Sequence, residues 1–156
     1  MNRLMLIAAC MITLLGCDEQ ARVPAMDSVS APVTNSGAIV SRWYSDAQVA
    51  TGRNVFTQNC AVCHGAEAQG AEGDWREKLE DGSFRPPPLN GSAHAWHHPQ
   101  EILLRVIDYG GAAMGGKMPE FIDVLEQEEK LAAIAFFQSY WTDEIYQQWM
   151  QMGGTN

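Results

Sequence analysis

Cys60-Ala61-Val62-Cys63-His64 sets two thiols three positions apart and puts an imidazole directly after the second. That spacing lets the thiols reach the two vinyl groups on one edge of a porphyrin and form thioethers. The imidazole that follows then points beneath the macrocycle, where it is a good iron ligand. Cys-x-x-Cys on its own also suits a redox dithiol or half of a zinc shell, but no second cysteine pair is present to complete such a shell. The motif occurs once, so it predicts one covalent haem c bonded to Cys60 and Cys63, with His64 as proximal ligand.

The elements that must position these groups read as helices and loops. Ser45 and Gln48 have the spacing of a capping box, and a helix is expected from Asp46 to about Asn59, with the haem motif at its C-terminal end. Val49, Gly52, Val55 and Phe56 share one face. A glycine there costs roughly 1 kcal/mol against alanine, which points to close approach by another helix. Residues 66 to 85 read as acidic loop with a short helical turn over Trp75 to Leu79, and Pro86-Pro87-Pro88-Leu89 as extended chain. A second helix is expected from Pro99, at its first helical position, to the stop at Gly110-Gly111, and a third over Gln127 to about Tyr140. Leu131, Ile134, Ala135, Phe137 and Trp141 give the third a buried stripe. Thr142 can cap a last short helix bearing Ile145, Tyr146, Trp149 and Met150. The fold class is all-α, three main helices around one haem, in a domain spanning 44–156.

Residues 1–16 carry Arg3 and then an apolar run from Leu4 to Leu15, too short to span a bilayer comfortably and suited to a secretory signal. Leu14-Leu15-Gly16-Cys17 resembles the bacterial lipobox, which implies cleavage before Cys17 and acylation of that residue; an ordinary signal with an incidental cysteine is the alternative. Asp18, in the same resemblance, goes with retention in the inner membrane. Residues 17–43 are dotted with Ser, Ala and Pro and read as a flexible tether with a reach of roughly 25–30 Å. The four cysteines then divide between the signal (Cys10), lipid (Cys17) and haem (Cys60, Cys63), leaving none for a disulfide.

The whole chain has 10 Lys/Arg against 19 Asp/Glu, a formal charge of −9. Removing the signal with Arg3 leaves nine against 19, or −10. Nucleic acid and anionic surfaces are therefore poor partners, and membrane association must come through lipid at Cys17.

The order of helix, Cys-x-x-Cys-His, proline loop, helix, Met-Pro and C-terminal helix resembles the class I cytochrome c family over about residues 45 to 141. Gly52-x-x-x-Phe56, Pro87-x-Leu89-x-Gly91, Met118-Pro119 and Ala135-Phe136 carry the match. The resemblance implies Met118 as the second axial ligand, a neutral thioether that favours ferrous iron and raises the potential. Met114 is its nearest rival, and otherwise a gap-filler in a glycine-rich loop. It also implies that a carbonyl at Pro87 accepts from His64, that Leu89 presses on the haem face, and that Gly52 meets Phe136 where the first and last helices cross. Arg85 and Trp96 are candidates to meet haem propionates, or are an exposed arginine and a core tryptophan. His94, His97 and His98 can bind copper or haem iron, or serve as surface polar groups.

Members of the mitochondrial type present a lysine ring around the haem edge. This chain has only Lys78, Lys117 and Lys130, so a broad cationic docking face is not expected. The function implied is single-electron transfer on the periplasmic side of a bacterial inner membrane, between redox partner proteins, without a catalytic group. The alternatives are a haem subunit docked in a larger dehydrogenase or oxidase, with the Trp141 to Met150 segment as its contact, and an open-site peroxidase or gas sensor.

Overall fold

The computed structural model describes residues 40–156. The signal at 1–16, the candidate lipid site Cys17 and most of the tether lie outside them. Five helices follow in order: α1 (Asp46–Asn59), α2 (Ala61–His64), α3 (Gln100–Tyr109), α4 (Gln127–Gln138) and α5 (Asp143–Gln151). Short 3-10 turns occupy Ala95–His97 and Ala112–Met114. Among the described residues there is no β-strand, only one isolated bridge between Lys78 and Phe84. The all-α class holds.

Each helix begins and ends for a local reason. Ser45 caps α1 through its hydroxyl on the Gln48 amide, and the Gln48 side chain returns to the Ser45 amide at 2.9 Å. Glu126 and Glu129 form the equivalent box at the start of α4. Gly110 ends α3 at φ +72. Pro99 is the N-cap of α3 and not its first helical residue, so the helix begins one position later than expected, at Gln100, because the extended ψ of 161° keeps the Pro99 backbone outside the helix. The helix expected to run to Tyr140 ends at Gln138, where Ser139 turns its hydroxyl onto the Phe136 carbonyl. Trp75 to Leu79 is a turn leading into the Lys78–Phe84 bridge and not helical. Arg76 bonds Asp74 and the Leu79 amide bonds Ser83, so these backbone groups are satisfied by loop partners.

α1 and α4 are the principal helix pair. At Gly52 a Cβ would lie 1.9 Å from the Ala132 carbonyl oxygen and 3.0 Å from Phe136 Cβ, so the two backbones nearly touch. Phe56 and Phe136, both 1% exposed, meet just beyond with ring centroids 5.0 Å apart. α4 is buried well beyond a single stripe, from Ala132 through Gln138, because α1 covers one side and the C-terminal segment another.

The C-terminal segment is part of this core. Trp141, Tyr146 and Trp149 are at most 2% exposed, and Met150 faces outward. The Trp141 to Met150 segment therefore buries its aromatic face in its own domain and leaves Asp143, Glu144, Gln147, Gln148 and Met150 exposed on the other. Trp141 Nε1 donates to the Leu89 carbonyl and Trp149 Nε1 to the His98 carbonyl, each at 2.8 Å. Order also begins earlier than composition suggests. Trp43 Nε1 donates to Gln138 Oε1 at 2.6 Å, the Trp43 amide donates to the Tyr146 hydroxyl, and Arg42 pairs with Asp143 at 2.7 Å. Two aromatic rings, Trp43 and Tyr44, repay the ordering entropy of this short stretch by burial against α4 and α5.

The histidine cluster packs against tryptophan rings. His94 stacks on Trp75 at 4.4 Å and meets the His98 ring edge-on at 5.5 Å, while His97 lies against Trp96. Among the described residues no group of three or more His, Cys, Asp or Glu is placed to hold a metal ion. Burial, then the neighbouring histidines, hold His94 and His98 below the ordinary imidazole value of 6.5.

Two measurements probe this frame. Gly52→Ala gains about 1 kcal/mol of helix propensity, but its Cβ meets a backbone oxygen that no rotamer change can move. Overpacking of this kind costs about 1–3 kcal/mol or more, so the variant is expected to unfold at lower temperature and lower denaturant concentration. The fold favours neutral His94 and His98, so the unfolded chain binds more protons just below about pH 6.5 and stability falls as pH drops through that region. His94→Gln should flatten the decline in melting temperature between about pH 7 and pH 5; an unchanged slope would remove His94 from the explanation.

Candidate haem site

Cys60 ends α1, with its amide on the Phe56 carbonyl at 2.8 Å, and opens α2. The His64 amide donates back to the Cys60 carbonyl at 2.9 Å. This single turn puts positions 60, 63 and 64 at the i, i+3, i+4 spacing that shares a helix face, and leaves Val62 90% exposed. Both thiols are free. Burial, with a smaller push from Cys63, raises the Cys60 thiol to about 11. The thiol is thereby kept protonated near neutral pH.

His64 is 7% exposed and its Nδ1 lies 2.9 Å from the Pro87 carbonyl oxygen. Nδ1 carries the proton in such a bond, which leaves the lone pair on Nε2. Burial lowers the imidazole below its ordinary value and keeps it neutral, with the Pro87 bond opposing in part. The proline loop that supplies this acceptor is itself pinned: the Leu89 amide donates to the Ala68 carbonyl at 2.7 Å and the Leu89 carbonyl accepts from Trp141. Leu89 packs on the larger core cluster.

Met118 is held by other elements. It is half-buried against the smaller cluster of Val55, Phe121, Leu125 and Ala133, and its carbonyl accepts from the Gly111 amide at 3.0 Å. A Cβ at Gly110 would stand 2.5 Å from that same carbonyl, so glycine there is what lets the end of α3 approach the methionine. Met114 is 57% exposed. The structure thus joins His64 to Pro87 directly, and anchors Met118 separately through α1, α3 and α4. Trp96 is half-buried against the core.

Arg85 lines an open pocket of about 570 Å³ with Lys78, Leu79, Glu80 and Asp81. Its Nε is buried without a hydrogen-bond partner. Lys117 and Ser83 hold the Asp81 carboxylate well below its ordinary range, and the Lys117 ammonium is engaged by it. Lys130 is not on the surface at all: it is 5% exposed and 2.7 Å from Asp108. Composition alone counts it with Lys78 and Lys117, and only its tertiary partner reveals its burial.

These residues fit a covalent haem. Two free thiols stand beside a buried neutral imidazole whose second nitrogen is uncommitted, and an orphaned guanidinium N–H suits a carboxylate. Residues 47–137, more than half of the chain, match the family described as cytochrome c oxidase, cbb3-type, subunit III. The cbb3-type cytochrome c oxidase subunit FixP of Sinorhizobium medicae is 30% identical over 97 residues, which is 58% of this chain and 29% of that protein. The chain thus spans less than a third of that relative's length. No solved structure matches it. With the haem motif at the end of α1 inside the matched region, the chain belongs to the cbb3-type oxidase subunit III family, as a c-type cytochrome domain that binds haem c covalently.

Proposed function

We propose that this protein is a single-electron carrier with His64 and Met118 as axial ligands, tethered through Cys17 on the periplasmic side of a bacterial inner membrane. Bound haem c supplies a reversible one-electron ferric/ferrous couple. The chain's own residues do the rest. Cys60 and Cys63 bond the macrocycle, His64 offers Nε2 from beneath, and Pro87 holds the ring's orientation through Nδ1. Leu89 and the proline loop keep water from that face, and Arg85 offers a cation to a propionate. Met118 brings a thioether sulfur on a loop stiffened by Pro119. The observation that carries this reading is the 2.9 Å bond from buried His64 to Pro87 beside two free thiols.

Docking within a larger terminal oxidase is the second reading, favoured by the relative's description as an oxidase subunit. In either case the partner surface is basic or largely apolar, because this chain is strongly acidic and its few lysines are largely engaged. No helix among the described residues is long and apolar enough to cross a membrane. The lipid at Cys17 is accordingly the anchor proposed.

Met118→Ala is expected to abolish the far-red charge-transfer band of methionine-ligated ferric haem and to lower the reduction potential, while Met114→Ala leaves both as in the parent. The reverse pattern in absorption spectra and redox titration would move the ligand to Met114. Cys17→Ala should release the protein from the membrane fraction with its haem spectrum intact. Loss of haem from that variant would contradict an anchor that is separate from the haem domain.

A further inference from the structure

Lys130 is an unusual residue to find inside a small domain. It stands in the first turn of α4, 5% exposed, with Nζ 2.7 Å from Asp108 Oδ1 on α3 and 3.4 Å from the Ile122 carbonyl oxygen. Both partners belong to the chain that brackets Met118. Asp108 is in the last turn of α3, whose end is bound to the methionine by the Gly111 amide on the Met118 carbonyl. Ile122 follows Phe121, whose amide donates to the Ile107 carbonyl at 3.0 Å. The segment from Met118 to Ile122 is thus strapped along the end of α3, and Lys130 is the side chain that ties strap and α3 together to α4. α4 in turn is locked to α1, the helix that carries Cys60 at its end.

We propose that Lys130, acting through Asp108 and Ile122, is a positioning residue that holds Met118 at the iron. The inference rests on Met118 being the sulfur ligand. A buried ammonium is stabilised only when it is paired, and an apolar side chain of similar length fills space without that desolvation cost. What the ion pair adds is a fixed register between α4, the end of α3 and the strap. The framework that carries His64 is thereby coupled to the loop that carries the methionine. An axial thioether is a weak ligand to ferric iron, so small freedom in the strap shows first as easier displacement of sulfur by an external donor.

The test uses the ferric holoprotein, titrated with imidazole while the far-red charge-transfer band is followed. Lys130→Met is expected to bind imidazole about tenfold more tightly than the parent, equivalent to about 1.4 kcal/mol lost from the methionine bond. Lys130→Arg should return the affinity toward the parent value. Asp108→Asn shifts it in the same direction as Lys130→Met, and carries the test if Lys130→Met yields no holoprotein. If both neutralising variants melt at lower temperature yet bind imidazole as the parent does, Lys130 is structural only and the proposal is overturned. Failure of the ligand assignment is separately visible: the parent then lacks the band, or Met118→Ala binds imidazole no better than the parent.

Discussion

The contact on which the rest depends is the near-touching of α1 and α4 at Gly52. A hydrophobic stripe on each helix leaves freedom to slide and rotate, since apolar packing is non-directional. A glycine that admits the Ala132 carbonyl into the space of a side chain removes that freedom. Phe56 then seats on Phe136 one turn further along. Four residues beyond Phe56 the helix delivers Cys60, so the direction of α1 sets where the two thiols and the imidazole are presented.

Around this pair, the long segment from Gly65 to Pro99 has almost no regular structure, and its buried carbonyls need donors. Ring N–H groups provide them. His64 donates to Pro87, Trp141 to Leu89 and Trp149 to His98. Two of these three come from the C-terminal segment, which makes α5 part of the scaffold of the proline loop. The same economy explains the Trp75–His94 stack, where an aromatic face closes the acidic loop onto the turn before α3.

Charge is handled differently inside and out. The surface is acidic, and Lys117 is engaged by Asp81. Lys130 is withdrawn into the interior with Asp108. A chain with three lysines thus presents even less lysine charge at its surface than its composition suggests.

Much of this was legible in the residues. The Cys-x-x-Cys-His spacing is the one porphyrin attachment calls for, and Ser45 with Gln48 is a local capping device, so a candidate attachment site and the limits of α1 could be read without a fold. Gly52 announced a close approach, and Gly110 a helix end, because both reflect backbone constraints that belong to one residue. The status of Lys130, the burial of Tyr146 and Trp149, and the ordered stretch at Trp43 were not legible. Each depends on a partner remote in sequence, and a lysine or tryptophan on its own looks the same whether it meets solvent or a distant carbonyl. Local chemistry and chain stiffness are properties of sequence; which carbonyl, carboxylate or ring closes each contact is decided only when the helices cross.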